Sequence, residues 1–292
     1  MATVVQARTW QARNAVSHKV LSPEQTARFG EVGFHFPVPV FGAPEIASYR
    51  AQLEAVERAT GGPLTGQMRN KPHLLFRWAD EIVRHPRILD AVEDVLGPDL
   101  FCWSSSFFTK EALDPAFVSW HQDATYWGLS EPDVVTAWVA FSDSQVDNGC
   151  MRVMPGTHLD AQLPHKDTFA EGNLLTRGQE VQVEVDPGKA VDVVLQPGEM
   201  SLHHVLLVHG SDPNTSDRRR IGFAIRYVPT YVRQVAGHRD SAMLVRGEDR
   251  FGHFEHEPRP KVDMGEQERA VHKSITEEAI RILYRGTDRK PA

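Results

Sequence analysis

Residues 200–228 read MSLHHVLLVHGSDPNTSDRRRIGFAIRYV. Two apolar runs, 200–209 and 221–228, flank the turn signal Asp212-Pro213-Asn214. Each run is short, rich in β-branched and aromatic residues, and bounded by chain breakers. That pattern predicts strands. The same pattern repeats back towards residue 100, predicting strands at 100–109, 117–123, 134–142, 150–154, 180–185 and 190–195. Asp147-Asn148-Gly149, Pro155-Gly156, Asp186-Pro187-Gly188 and Pro197-Gly198 punctuate them. About eight short strands with such spacing predict a mainly β sandwich or jelly roll with flanking helices.

Upstream of residue 100 the pattern is helical. Ser22-Pro23-Glu24-Gln25 reads as an N-cap, a first-turn proline and a capping-box partner. Residues 44–60 and 86–96 carry helical apolar spacing and end at Gly61-Gly62 and Gly97-Pro98. Downstream, 237–262 is polar and poorly periodic, which predicts a long loop, and 275–285 reads as a closing helix. No linker or repeat divides the chain. One domain over 1–292 is therefore expected: a helical part to about 99, a β-core from about 100 to 232, then the loop and final helix over 233–292.

Among 292 residues 41% are hydrophobic and 24% charged, an ordinary globular balance that argues against wholesale disorder. A net charge of −7 provides no global attraction to nucleic acid or an acidic membrane. Two cysteines, Cys102 and Cys150, exclude a disulfide framework and any site of several thiolates, and read as small core residues. No apolar run approaches a membrane span, and the N-terminal stretch has no leader pattern. The expectation is a cytoplasmic protein, monomer or homodimer, acting on a small molecule.

Fourteen histidines generate four His-x-Asp triplets, starting at His121, His158, His165 and His238, so the bare motif selects nothing. Only His121-Gln122-Asp123 continues a convincing strand. On a strand, residues i and i+2 share a face, so His121 and Asp123 would offer an imidazole and a carboxylate to one metal ion. A 2-His-1-carboxylate triad for non-haem Fe(II) needs one further histidine. His209, which ends an apolar strand and is followed eleven residues later by Arg220, is the best candidate; His203 and His204 compete but lack that follow-on arginine. An arginine at 220 suits the distal carboxylate of a bound 2-oxo diacid. The bland readings are a surface histidine, a capping aspartate and a charge-balancing arginine. Signatures of nucleotide-binding folds, α/β-hydrolases and zinc proteases are missing.

HQDATYW at 121–127, NGCMRVMPGTH at 148–158 and HGSDPNTSDRRRIGFAIRY at 209–227 together resemble the phytanoyl-CoA dioxygenase family. The blocks come in that family's order, with 86 residues from Asp123 to His209. The resemblance implies a double-stranded β-helix (jelly-roll, cupin-like) core and an Fe(II)- and 2-oxoglutarate-dependent dioxygenase that also consumes O2. It implies that His121, Asp123 and His209 hold iron and that Arg220 grips the 2-oxoglutarate carboxylate. Ser211, Gln122, Trp138, Ser106 and Lys110 fall at its co-substrate positions, although Glu111 stands where relatives often carry proline after that lysine. Halogenases in the family replace the carboxylate with a small residue, so Asp123 implies hydroxylation, with release of succinate and CO2.

The expected substrate is a small metabolite such as an amino acid, a phosphonate or a natural-product intermediate. Tyr126, Trp127, Asn70 and Arg226 are the candidate contacts, and the stretch Arg69-Asn70-Lys71-Pro72-His73 is expected to place cations and amides over the pocket mouth. The alternatives are a family member acting on an acyl-CoA, or a non-catalytic jelly-roll binding protein. His253 and His256 read as part of a solvated loop.

Overall fold

The computed structural model describes residues 18–237 and 239–287. His238 and the N-terminal stretch read for a leader lie outside the described residues. The first helix, α1 (Pro23–Val32), opens as its sequence dictates: Ser22 accepts from the Gln25 N–H, and the Gln25 side chain accepts from the Ser22 N–H. Strand β1 (Phe34–Pro39) follows, then α2 (Ala43–Thr60), α3 (Arg77–Val83) and α4 (Pro86–Leu96). Helices α2 and α4 match expectation, and Gly61 closes α2 in the left-handed region at φ 86°. Strand β1 departs from the all-helical expectation. Pro37 and Pro39 disguise it, and it is an edge strand, the position where proline is tolerated.

The β-core comprises β2 (Leu100–Lys110), β3 (Val118–His121), β4 (Val135–Ala140), β5 (Met151–Val153), β6 (His165–Asp167), β7 (Gln179–Val181) and β8 (Val191–Val193). It continues with β9 (Glu199–His204), β10 (His209–Ser211), β11 (Arg220–Pro229), β12 (Ser241–Arg246) and β13 (Glu255–His256), and helix α5 (Glu266–Leu283) closes the chain. A seven-stranded sheet runs β1-β9-β4-β11-β2-β12-β13, and a four-stranded sheet runs β3-β10-β5-β8. Strands β6 and β7 pair separately. This is the jelly-roll arrangement.

Period-two alternation assigns the faces of the large sheet. On β11, Ile221, Phe223, Ile225 and Tyr227 enter a core shared with α1 to α4, while Arg220, Ala224 and Arg226 face a chamber between the sheets. On β4, Val135, Ala137 and Val139 join that core, and Thr136 and Trp138 face the chamber. Burying each large apolar side chain contributes about 1.5–3 kcal/mol, so the helices anchor one face and leave the other free for chemistry. No helix among the described residues is long and apolar enough to cross a membrane.

Four sequence expectations need correction. The run 200–209 is not one strand. It breaks over 205–208 into β9, in the large sheet, and β10, in the small one. The break is a turn in which the Leu206 N–H donates to His204 Nδ1 and the Leu207 N–H to the His204 carbonyl. The expected strand 117–123 ends at His121, and Asp123 begins a short 3-10 helix, Asp123–Tyr126, because its N–H donates to the Val205 carbonyl instead of continuing a ladder. The expected strand 180–185 stops at Val181, past which β6 has no residue to pair, so Val183 is exposed. The loop expected over 237–262 contains β12, which pairs with β2, and α5 starts at Glu266, nine residues before the helix expected from 275.

Candidate active site

Antiparallel pairing of β3 with β10 puts His121 directly opposite His209. Their ring centroids are 4.1 Å apart. Each ring is fixed by backbone carbonyls: His121 Nδ1 lies 2.9 Å from the Ser119 oxygen and 3.0 Å from the His209 oxygen, and His209 Nδ1 lies 2.9 Å from the Leu207 oxygen. A carbonyl can only accept, so both Nδ1 atoms carry hydrogen and both Nε2 atoms present lone pairs. His121 Nε2 is 3.3 Å from Asp123 Oδ1. Ligand atoms of His121, Asp123 and His209 all lie within 4.8 Å of one another, and the three residues are buried. Among the described residues they form the only such group.

The charge states suit a metal. Burial disfavours the Asp123 carboxylate, but the His121 contact and the charges of His209, His121 and Arg226 outweigh it and hold its pKa well below the usual range. Burial, then the charge of His121, lowers the His209 pKa to about 4. One ionised carboxylate and two imidazole nitrogens fit a divalent cation.

The triad opens on a chamber containing about 460 Å³ of space outside protein atoms, lined also by Thr136, Trp138, His203, Ser211, Arg220 and Arg226. Arg220 is 2% exposed, and its Nε has no hydrogen-bond partner among the described residues. Thr136 Oγ1, His203 Nδ1 and Arg226 Nε are also buried and unpartnered. Four unsatisfied polar atoms from residues lining one cavity call for a polar occupant. Burial lowers the Arg220 pKa only to about 10, so it remains a cation at neutral pH. A dicarboxylate chelating at the triad and reaching Arg220 fits this donor set.

Trp138 forms one wall, with the Arg220 guanidinium 5.4 Å from its ring centroid. The indole lies across Gly222, where a Cβ would come 1.8 Å from Trp138 Cζ2. Gly222→Ala is therefore expected to displace the indole and lower stability by about 1–3 kcal/mol. It should also weaken 2-oxoglutarate binding. Thermal melts and a co-substrate titration check both effects, and an unchanged titration would remove Trp138 from the co-substrate wall.

The other sequence-derived residues divide. Ser211 lines the chamber and accepts from Lys110 Nζ at 2.7 Å. Lys110 lines no part of the chamber; its ammonium, also donating to the Asp212 carbonyl, braces the chain behind Arg220. Burial, then the charge of Arg220, lowers its pKa to about 7. Gly149 permits this arrangement, at φ 72° and with room for no side chain, since a Cβ would stand 2.3 Å from the Asp212 oxygen. Gln122 faces away from the chamber. Its amide donates to the Leu206 carbonyl and accepts from the Leu163 N–H and Gln162, pinning the 205–208 turn.

Ser106 belongs to a wider outer cleft of about 2430 Å³, partly open to solvent, which shares Phe108, Asp123, Leu175 and Arg226 with the chamber. There Arg226 Nη1 donates to Ser106 Oγ at 2.9 Å, and Ser106 Oγ donates to Asn70 Oδ1 at 3.2 Å. Tyr126, Trp127 and Asn70 also line this cleft. Residues of α5 form a further wall, held where Arg177 Nη1 donates to the Leu283 carbonyl.

Sequence reading missed Thr136 and Phe108, which nothing in the local pattern distinguishes; Arg69, expected over the pocket mouth, lines the outer cleft. It did notice His203, but as a rival metal ligand; its ring sits 4.9 Å from His209, outside the donor group. His158 and His165 take structural roles, bonding the Gly30 carbonyl and the Gln122 N–H. His256 is exposed and pairs with Asp249.

A family model described as phytanoyl-CoA dioxygenase (PhyH) matches residues 29–222. Peroxisomal phytanoyl-CoA dioxygenase of Homo sapiens is 31% identical over 227 residues, covering 70% of this chain and 67% of its own. A probable alpha-ketoglutarate-dependent hypophosphite dioxygenase of Stutzerimonas stutzeri is 26% identical over 223 residues, covering 70% of this chain and 77% of its own. Among solved structures, the apo form of the non-heme monooxygenase ThoJ aligns with a TM-score of 0.80 at 37% identity, covering 89% of this chain and 97% of that one. CytC3 with Fe(II) and alpha-ketoglutarate aligns with a TM-score of 0.61 at 27% identity, covering 81% and 93%.

Proposed function

The chain belongs to the phytanoyl-CoA dioxygenase family and is a 2-oxoglutarate-dependent non-haem iron dioxygenase; from that premise we propose that it hydroxylates an unactivated C–H bond of a natural-product-sized small molecule. In this reading His121, Asp123 and His209 hold Fe(II), and Arg220 with Ser211 and Trp138 holds 2-oxoglutarate. The observation that carries the substrate reading is the outer cleft. It meets the triad at Asp123 and is walled by Trp103, Trp127, Phe108, Leu174, Ile280 and Leu283. That extended aromatic lining suits a bulky, partly apolar molecule better than a free amino acid.

When bound, Fe(II) with 2-oxoglutarate and O2 supplies the oxidising power, yielding succinate and CO2. The protein supplies geometry. Backbone carbonyls fix both imidazoles before metal arrives, so little reorganisation is needed. Arg220 neutralises the far carboxylate in a buried chamber, where a charge-assisted contact is strong. The aromatic cleft orients the substrate and excludes water at the Asp123 side. Helix α5 walls the same cleft that β2 opens into, which supports reading the described residues as one catalytic domain.

The acyl-CoA alternative has less support. Arg69, Lys71 and Arg226 are the basic residues of the cleft, and Lys71 is already paired with Glu257. Nothing there matches several phosphates. The non-catalytic alternative is separated by turnover. Fe(II)-loaded protein should release CO2 from 2-oxo[1-14C]glutarate, stimulated by a fractionated metabolite extract, and the oxidised product should gain one hydroxyl from oxygen-18 gas. Equal 14CO2 release by wild type and His209→Ala would sink the reading.

A further inference from the structure

Two guanidinium groups gather at the mouth of the chamber. Arg226 is 8% exposed, and its Nε has no hydrogen-bond partner. Arg69 donates one hydrogen bond, from Nη2 to the Leu174 carbonyl at 2.9 Å. Neither forms an ion pair among the described residues. Both lie against one ring: Arg69 Cζ is 5.4 Å and Arg226 Cζ 5.6 Å from the Phe108 centroid. A second aromatic, Trp127, is 5.8 Å from Arg226 Cζ. Ser106 and Asn70, the latter bridged to β2, hold Arg226 in this position.

Like charges are not gathered in a half-buried cleft without an anion to answer them. Burial, then the neighbouring charge of Arg226, lowers the Arg69 pKa, and burial lowers that of Arg226 against the opposing pull of Asp123. Asp123 is the carboxylate that reaches Arg226, and in the proposed site it is a ligand of Fe(II), so the charges are summed over the whole site. Fe(II) and the 2-oxoglutarate dianion cancel, as do Asp123 and Arg220. The two cations beside Phe108 are then left over.

We propose that Arg69 and Arg226 form a substrate-anchoring subsite for an oxyanion, a carboxylate or a phosphonate, carried on an aromatic or apolar body that packs against Phe108 and Trp127. This deepens the functional reading above and rests on it. The subsite adjoins the one assigned to 2-oxoglutarate: Arg226 stands where chamber and cleft meet, Arg69 lines the cleft only, and Arg220 lines the chamber only. It fixes the substrate by its charged end and leaves its body beside the triad.

The test is binding, not turnover. Protein loaded with redox-inert Ni(II) and saturated with 2-oxoglutarate is titrated with phenylphosphonate, phenylacetate and neutral benzyl alcohol. The readouts are tryptophan fluorescence and calorimetry. One or both oxyanions should bind, their relative affinities identifying the preferred head group, and benzyl alcohol should bind at least about tenfold more weakly. Arg69→Gln and Arg226→Gln should each weaken the oxyanion at least about tenfold, while Lys273→Gln, exposed on α5 and outside the cleft lining, retains it. Should Arg226→Gln fail to fold, Arg69→Gln, on a partly exposed turn, decides the matter. Absence of oxyanion binding, equal binding of benzyl alcohol, insensitivity to Arg69→Gln, or displacement of the probe by 2-oxoglutarate would each overturn the subsite. A protein that releases CO2 from 2-oxoglutarate yet binds neither oxyanion keeps its reaction class and loses only this anchor.

Discussion

His209→Ala protein is expected to lose metal affinity at least about a thousandfold, equivalent to about 4 kcal/mol, and to lose turnover with it. The reasoning is a donor count. Three ligand atoms within 4.8 Å of one another can hold Fe(II) while leaving positions for 2-oxoglutarate and O2. Two cannot hold it at micromolar metal. No nearby histidine substitutes. The His203 ring is 4.9 Å from His209 but outside the donor group, and His204 uses Nδ1 to accept from the Leu206 N–H while its ring packs on His158. His203→Ala and His204→Ala should therefore retain metal. Metal content after dialysis and calorimetry with Ni(II) provide the measurement. Metal retained by His209→Ala but lost by His204→Ala would assign the third ligand to the wrong strand.

The second large effect belongs to Arg220. Arg220→Gln is expected to weaken 2-oxoglutarate by about 2–5 kcal/mol, some 30- to 5000-fold, because a buried carboxylate loses its only cation at that end. Metal affinity should change little. Lysine should rescue poorly, since its point charge cannot reproduce the planar fork. The readout is the apparent KM for 2-oxoglutarate beside a metal titration. An unchanged KM would falsify the Arg220 assignment and shift attention to Lys110, whose ammonium approaches the same region from behind.

What could be read before the fold was known follows from what periodicity encodes. Short apolar runs bounded by chain breakers are a one-dimensional signal, and they foretold the strands now seen as β4 and β11, while the eleven-residue spacing from His209 picked out Arg220. The capping box at Ser22 is equally local. Partnership across the sheets is not local. Nothing in 200–209 reveals that the chain changes sheets at Val205, because the turn is apolar and buried, without the glycine or proline that marks an exposed one. Gln122 sits inside the most informative motif, yet its amide braces the 205–208 turn, a role visible only once Leu206 and Leu163 are beside it. The four-residue apolar run in SAMLVR, 241–246, was the available signal for β12, and its polar surroundings masked it. Arg69 is expected from sequence over the pocket mouth, but the Phe108 ring beneath it is visible only in the fold.

Helix α5 walls the outer cleft but contributes none of the metal donors and no contact to the inner chamber. It is fastened near its end by Arg177 to the Leu283 carbonyl, far along the chain from His121 and Arg220. One wall of the cleft is thus inherited apart from the iron-binding strands, while Arg226 shares β11 with Arg220. Substitutions over 276–284 can accumulate, or a whole closing helix be exchanged for that of a relative, while the iron-binding strands stay untouched. An enzyme so divided can change its diet without relearning its chemistry, and this tail is where directed evolution towards new molecules would most profitably begin.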